Sequence, residues 1–186
     1  MSRLLIDATP LAGLKLVQRQ RLGDSRGFLS RLFCAEELAQ AGWAKPIAQI
    51  NHTLTGRQGT VRGLHFQHAP HAEMKLVSCL RGEVWDVAVD LRVGSPTYLQ
   101  WHAAKLSADN GQALLIPEGF AHGFQTLSDE VEMLYCHSVA YAPSAEGGLN
   151  PLDPRLAVSW PLPVLEMSAR DRGHPNVGDE FKGVLA

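Results

Sequence analysis

Through its middle the chain alternates short apolar stretches with turn-forming residues at close, even spacing, a rhythm that predicts strands rather than helices. The stretches run Pro46 to Thr53, Thr60 to Gln67, Lys75 to Leu80, Glu83 to Leu91, Tyr98 to Leu106, Ala113 to Pro117, Gly123 to Leu127 and Glu132 to Tyr141. Between them stand Arg81-Gly82, Gly94-Ser95-Pro96, Asp109-Asn110-Gly111, Glu118-Gly119 and Ser128-Asp129, residues suited to a reversing backbone. Within Val84 to Asp90, Trp85, Val87 and Val89 fall on one face and Asp86, Ala88 and Asp90 on the other. If the first face packs in the core, Asp86 points toward a cavity or solvent. Ala35 to Ala41 predicts a single helix in the first half, ended by Gly42. From Pro151 the tail carries five prolines before residue 176, which predicts short turns wrapping the rest. The expected fold is mainly β, a sandwich or jelly-roll barrel with few short helices. One domain spans 1–186, with an arm over about 1–45, the barrel over about 46–142 and a wrapping segment over about 143–186.

With 186 residues, 45% of them hydrophobic, the chain is large enough for one substantial core. A formal charge of −2 and no run of Lys and Arg argue against a nucleic-acid partner, while a small anion held by a few arginines fits. Cys34, Cys79 and Cys136 cannot all pair with one another, and charge interrupts the first residues too early for a signal peptide. No apolar run approaches the roughly 20 residues of a membrane span. A soluble, cytoplasmic protein with reduced thiols is expected, without a membrane partner. The cysteines carry no base partner that would make one a nucleophile.

The stretch Arg62-Gly63-Leu64-His65-Phe66-Gln67, with Lys75 ten residues after His65, sets a possible base beside a possible oxyanion holder. Imidazole can remove a proton near neutral pH, and an ammonium can stabilise the charge left on a neighbouring carbonyl oxygen. That is equipment for carbon-acid chemistry. Gly111, Pro117, Gly119 and His122 are spaced as in the second cupin motif, which they resemble closely. The first cupin motif brings histidines and a glutamate to a metal, so His65, Gln67, Glu73 and His122 are candidate ligands. Gln67 stands where the second histidine belongs, and a neutral amide oxygen is a poor donor to a transition ion. No metal is expected. His68, His71, His102 and His137 read as solvent-facing or loop histidines.

A longer series of motifs recurs in order: Asp24-Ser25-Arg26-Gly27-Phe28, Gln49-Ile50-Asn51, Gly59 to Gln67, Lys75-Leu76-Val77, Gly82 to Arg92, Ser95-Pro96-Thr97, Ile116 to Phe124, Tyr135 with Tyr141, Asp153-Pro154, Trp160-Pro161 and Ser168-Ala169-Arg170-Asp171. Together they resemble the dTDP-4-dehydrorhamnose 3,5-epimerase family, nucleotide-sugar epimerases of the cupin superfamily. The resemblance implies a cupin-type jelly roll and a homodimer that inverts C3 and C5 of dTDP-4-dehydro-6-deoxy-D-glucose, both carbons being acidified by the C4 ketone. It implies no cofactor.

Carried over residue by residue, the resemblance makes His65 the base, Asp171 its partner, Lys75 the holder of the C4 enolate and Tyr135 the donor to the opposite face. Arg26, Gln49, Asn51 and Arg62 would hold the nucleotide and its diphosphate, and Tyr141 would line the pocket. His122 with Asp86 would form a hydrogen-bonded floor. Taken without the resemblance, Ser168 to Asp171 reads as a turn or helix cap and Tyr135 as a barrel-filling aromatic. Two positions depart from the pattern. Arg31 stands where glutamate is expected, reversing a charge, and Arg170 stands for lysine beside Asp171. The first leaves open a different nucleotide, a different sugar, or a single-centre 3- or 5-epimerase. A metal-dependent cupin enzyme and a sugar-nucleotide binding module without catalysis are the remaining alternatives.

Overall fold

The computed structural model describes residues 2–185. Two six-stranded sheets, antiparallel but for one short strand, face each other. The first runs β1 (Leu4–Ala8), β2 (Lys15–Arg19), β10 (Gln112–Ile116), β7 (Lys75–Arg81), β12 (Val131–His137) and β5 (Gln49–Thr55). The second runs β13 (Glu146–Gly148), β6 (Thr60–Gln67), β11 (Phe120–Thr126), β8 (Glu83–Asp90) and β9 (Trp101–Ser107), with β14 (Glu166–Met167) added parallel to β6. A separate hairpin, β3 (Arg21–Asp24) and β4 (Gly27–Ser30), stands apart. The helices are α1 (Ala35–Ala39) and α2 (Ala169–Arg172).

Side chains between the sheets, among them Leu14, Val77, Val84, Ala88, Leu106, Leu114, Phe124 and Met133, form the inner core. Each sheet is also covered on its outer face. Leu38 of α1 and Trp43 lie over Leu76, Ala113 and Leu115 of the first sheet. Leu149, Leu156, Val177 and Val184 of the tail lie over Val87, Val89 and Ala121 of the second. This double cover explains why β8 is largely buried on both faces: Trp85, Val87 and Val89 pack beneath the tail while Asp86 turns inward, fully buried.

Several strand limits differ from those expected. The stretch from Tyr98 begins its strand only at Trp101, because Ser95 and Thr97 hydroxyls and Arg92 fold back onto the Asp90 carboxylate and make a turn of the segment. The last predicted strand stops at His137, where the Ser138 amide turns to the Met74 carbonyl. The helix ends at Ala39 rather than Ala41, with Gly42 at φ 101° just beyond. Residues Leu4 to Arg19, read as an arm, supply two strands of the first sheet.

Candidate active site

The two sheets part at one end around a cavity of about 500 Å³. Strand alternation decides what enters it. On the second sheet, His65 of β6 and His122 of β11 are register partners, and on the first, Lys75 of β7 and Tyr135 of β12 line the facing wall. His65 and Tyr135 therefore belong to opposite walls.

Asp171 reaches His65 from the tail. Ser168 caps α2 by accepting the Asp171 amide at 3.0 Å, which fixes the backbone from which the carboxylate extends. Oδ1 then lies 2.7 Å from His65 Nε2, while Oδ2 accepts the Gly63 amide at 3.3 Å. Gly63 has to be glycine: its φ is 125°, and a Cβ there would sit 2.5 Å from Gly123 Cα on β11. Burial alone would raise the Asp171 carboxyl, but the His65 bond and charge and the Gly63 amide outweigh it and hold the group below its ordinary value. The ring of His65 is thus oriented. The expectation of a cap at Ser168 and that of a partner for His65 both describe the same turn.

Tyr135 is a wall residue with its ring edge-on to His122, centroids 6.1 Å apart. Burial pushes its phenol well above the ordinary tyrosine value, so the side chain is held in its neutral form. His122 Nε2 lies 2.8 Å from Asp86 Oδ1, both buried, which is the floor pair expected from the sequence.

A network around Lys75 was not foreseen. Its Nζ lies 3.2 Å from Glu73 Oε1 and 3.5 Å from the His65 carbonyl, and Glu73 Oε2 lies 2.7 Å from His137 Nδ1. His137 Nε2 in turn lies 3.4 Å from Asn51 Nδ2. This corrects the reading of His137 as solvent-facing: it is a cavity residue with its ring stacked at 25° to that of Tyr135. Its signal was the strand parity it shares with Tyr135. Burial would raise the Glu73 carboxyl, yet His137 and Lys75 together hold it below its ordinary value. His68 and His71 are exposed as expected.

The four side chains considered as a cupin-type metal set do not converge. His65 pairs with Asp171, His122 with Asp86, Glu73 with Lys75 and His137, and the Gln67 amide spans the Ala142 amide and the His71 carbonyl. That constellation does not fit an ion.

At the mouth, Arg170 and the Tyr141 hydroxyl both bond the Glu146 carboxylate, at 2.6 and 2.9 Å. Glu146 was missed because it stands in no motif of recognisable chemistry. Asn51 and Arg62 line the cavity, Arg62 Nε donating to Thr55 Oγ1 at 2.9 Å. Gln49 stands just behind, donating to Asn51 Oδ1 and accepting the Tyr141 amide. Two candidates lie elsewhere in the chain. Arg26 is at the tip of the β3–β4 hairpin, its side chain 87% exposed and paired with Asp24, and Arg31 pairs with Glu37; neither lines the cavity.

A family model described as dTDP-4-dehydrorhamnose 3,5-epimerase matches residues 8–179. The chain is 38% identical over 178 residues to the dTDP-4-dehydrorhamnose 3,5-epimerase of Sinorhizobium fredii, covering 95% of this chain and 91% of that one. It is 39% identical over 163 residues to the dTDP-4-dehydrorhamnose 3-epimerase of Streptomyces niveus, covering 87% and 78%. Among solved structures, dTDP-6-deoxy-D-glucose-3,5-epimerase of Legionella pneumophila in complex with dTDP-4-keto-L-rhamnose superposes with a TM-score of 0.90 at 36% identity, covering 98% and 99%.

Proposed function

This chain belongs to the dTDP-4-dehydrorhamnose 3,5-epimerase family, and from that premise we propose that it inverts the carbons flanking the ketone of dTDP-4-dehydro-6-deoxy-D-glucose. It is an isomerase acting on a dTDP-linked 4-keto-6-deoxy sugar. A sugar lying in the cavity with C3 and C5 between the sheets meets a base on one side and an acid on the other. His65 takes the proton, its imidazolium stabilised by Asp171; Lys75 holds the negative charge on the C4 oxygen; Tyr135 returns a proton to the opposite face. The observation that carries this reading is the location of His65 and Tyr135 on facing walls of one cavity. Removal and return on one face would only exchange hydrogen. General acid–base catalysis supplies about 10² to 10⁴ in rate, so the charge at Lys75 must supply much of the remainder.

Arg62, Asn51, Tyr141 and Arg170 hold the nucleotide and diphosphate at the mouth, with Gln49 supporting Asn51 and His122 supporting the floor. Arg26 and Arg31 stand outside the cavity of their own chain, so their part in binding is played across the interface of a homodimer. Supporting that assembly are Phe28 and Leu29, 61% and 65% exposed on the same hairpin as Arg26, and the exposed Ile50 and Leu54 on the edge strand β5. A cytoplasmic setting accords with Cys34, Cys79 and Cys136 all standing free. No helix among the described residues is long and apolar enough to cross a membrane.

The test is incubation with the 4-keto sugar nucleotide in heavy water, following deuterium at C3 and C5 by NMR. Incorporation with inversion at both carbons is expected. Incorporation at one carbon alone gives the single-centre reading, which the Streptomyces niveus 3-epimerase and the charge reversal at Arg31 favour. No exchange with any nucleotide-linked 4-keto sugar overturns the assignment.

A further inference from the structure

His174 has no part in the chemistry above, yet it sits against the base. Its ring is edge-on to that of His65, centroids 5.6 Å apart. The space it fills exists because residue 148 is glycine: a Cβ there would lie 2.3 Å from the His174 ring. Its Nε2 is buried and makes no hydrogen bond, lying 3.9 Å from Asp171 Oδ1. A buried polar atom without a partner is costly, so its retention asks for a ligand that satisfies it.

Among the described residues, His65, Asp171 and His174 are the one group of three metal-ligand side chains whose donor atoms all lie within 4.8 Å of one another. Bonds of about 2.1 Å set the donors of a tetrahedral zinc ion about 3.4 Å apart. The Asp171–His65 separation of 2.7 Å has to widen a little and the Asp171–His174 separation of 3.9 Å has to close a little, both side-chain adjustments. Two imidazoles and one carboxylate select Zn²⁺, Ni²⁺ or Cu²⁺ over Mg²⁺ or Ca²⁺, which prefer oxygen. The remaining coordination positions face the cavity, since His65 and Asp171 line it.

We propose that His65, Asp171 and His174 form an inhibitory site for a transition-series divalent ion, Zn²⁺ foremost, which silences the enzyme by occupying its base. With His65 Nε2 given to the ion, the neutral ring carries its one proton on Nδ1 and has no lone pair left to accept a proton from the sugar, and the Asp171 oxygen is withdrawn from the imidazolium it would stabilise. His174 is what turns an acid–base pair into a three-donor set. The inhibitory consequence rests on His65 being the base proposed above; the binding of the ion does not.

The experiment uses the full chain stripped with chelator and dialysed. Equilibrium dialysis against Zn²⁺ and the visible absorption of added Co²⁺ read binding, and deuterium exchange into the 4-keto sugar nucleotide reads inhibition, each protein compared with its own metal-free rate. Wild-type protein is expected to bind one Zn²⁺ per chain, to show Co²⁺ bands of nitrogen ligation, and to lose exchange reversibly, recovering with EDTA; Mg²⁺ leaves the rate unaltered. His174→Ala and His174→Asn, checked for fold by circular dichroism, are expected to weaken binding at least about tenfold. Exchange in both variants then resists the Zn²⁺ that stops the wild type, whereas exposed His71→Ala behaves as wild type. Equal Zn²⁺ affinity with and without His174, no stoichiometric uptake, or uptake that leaves exchange intact each overturns the proposal. If metal-free wild type shows no exchange, the epimerase assignment fails and the Co²⁺ spectra alone decide the site.

Discussion

Asp171 Oδ1 lies 2.7 Å from His65 Nε2 although 106 residues separate the two in the chain. The bond joins the last short helix to a barrel strand, and in the proposed mechanism it is the contact that orients the base. Asp171→Asn keeps the size of the side chain and removes its charge. Epimerisation should fall by about 10² to 10⁴ while the circular dichroism spectrum is unchanged. Wild-type turnover by the Asn variant would show that the carboxylate is structural only.

Opposite walls make a separable prediction. Tyr135→Phe leaves His65 and Lys75 in place, so deuterium should still wash into recovered substrate while inverted product is lost. His65→Ala should stop both. Equal loss of exchange and inversion in the Tyr135 variant would assign Tyr135 to proton removal or to packing.

Glu73 holds Lys75 at 3.2 Å and is itself held by His137 at 2.7 Å. Glu73→Gln removes the charge that aims the ammonium, and small displacements of a catalytic group cost up to about 10² in rate. Steady-state kinetics should show a lower kcat with KM little changed. A rise in KM alone would mean that the network shapes the pocket rather than positions Lys75.

Glu146 bonds both Arg170 and Tyr141 across the mouth. A diphosphate recruited by Arg170 has to displace that carboxylate. Exposed pairs of this kind are worth about 0.2–1 kcal/mol, so Glu146→Gln should lower KM by a factor of up to about 5 at low ionic strength. An increased KM would show that Glu146 itself holds substrate.

Acid stability follows from Asp90. Burial would raise this carboxyl, but Arg92, Ser95 and Thr97 hold it at about 2 against an ordinary 3.8. A depressed carboxyl stabilises the fold fully above its ordinary value, and that contribution disappears as pH falls toward 2. Thermal unfolding scans should show Tm falling between pH 4 and 2. Asp90→Asn should have a lower Tm at pH 7 and a shallower fall on acidification, Glu73 and Asp171 accounting for part of what persists. Parallel Tm curves for both proteins would contradict the assignment.

The middle of the fold was legible because strand parity and glycine turns are local: Gly82, Gly111 and Gly119 all adopt positive φ between strands where the sequence required a reversal. The N-terminal strands were not, since Leu4 to Ala8 contains Asp7 and gains its pairing only from β2, itself read as arm. Catalytic candidates came through their motifs, and the cavity gathers His65, Lys75, Tyr135 and Asp171. His137 and His174 were invisible as site residues for a common reason. Each acquires its meaning from a neighbour distant in sequence: Glu73 for His137, Gly148 for His174. Arg26 and Arg31 mark the converse case, motif residues whose own chain gives them no cavity to serve.

The tail that seals the outer face of the second sheet also carries the Asp171 carboxylate that bonds His65. Without α2 in place, His65 has no carboxylate partner and the cavity lacks the wall formed by Ser168, Arg170 and Asp171. In the proposed mechanism, turnover therefore requires the tail to be seated on the second sheet, so that activity reports on the packing of α2 as well as on the strands.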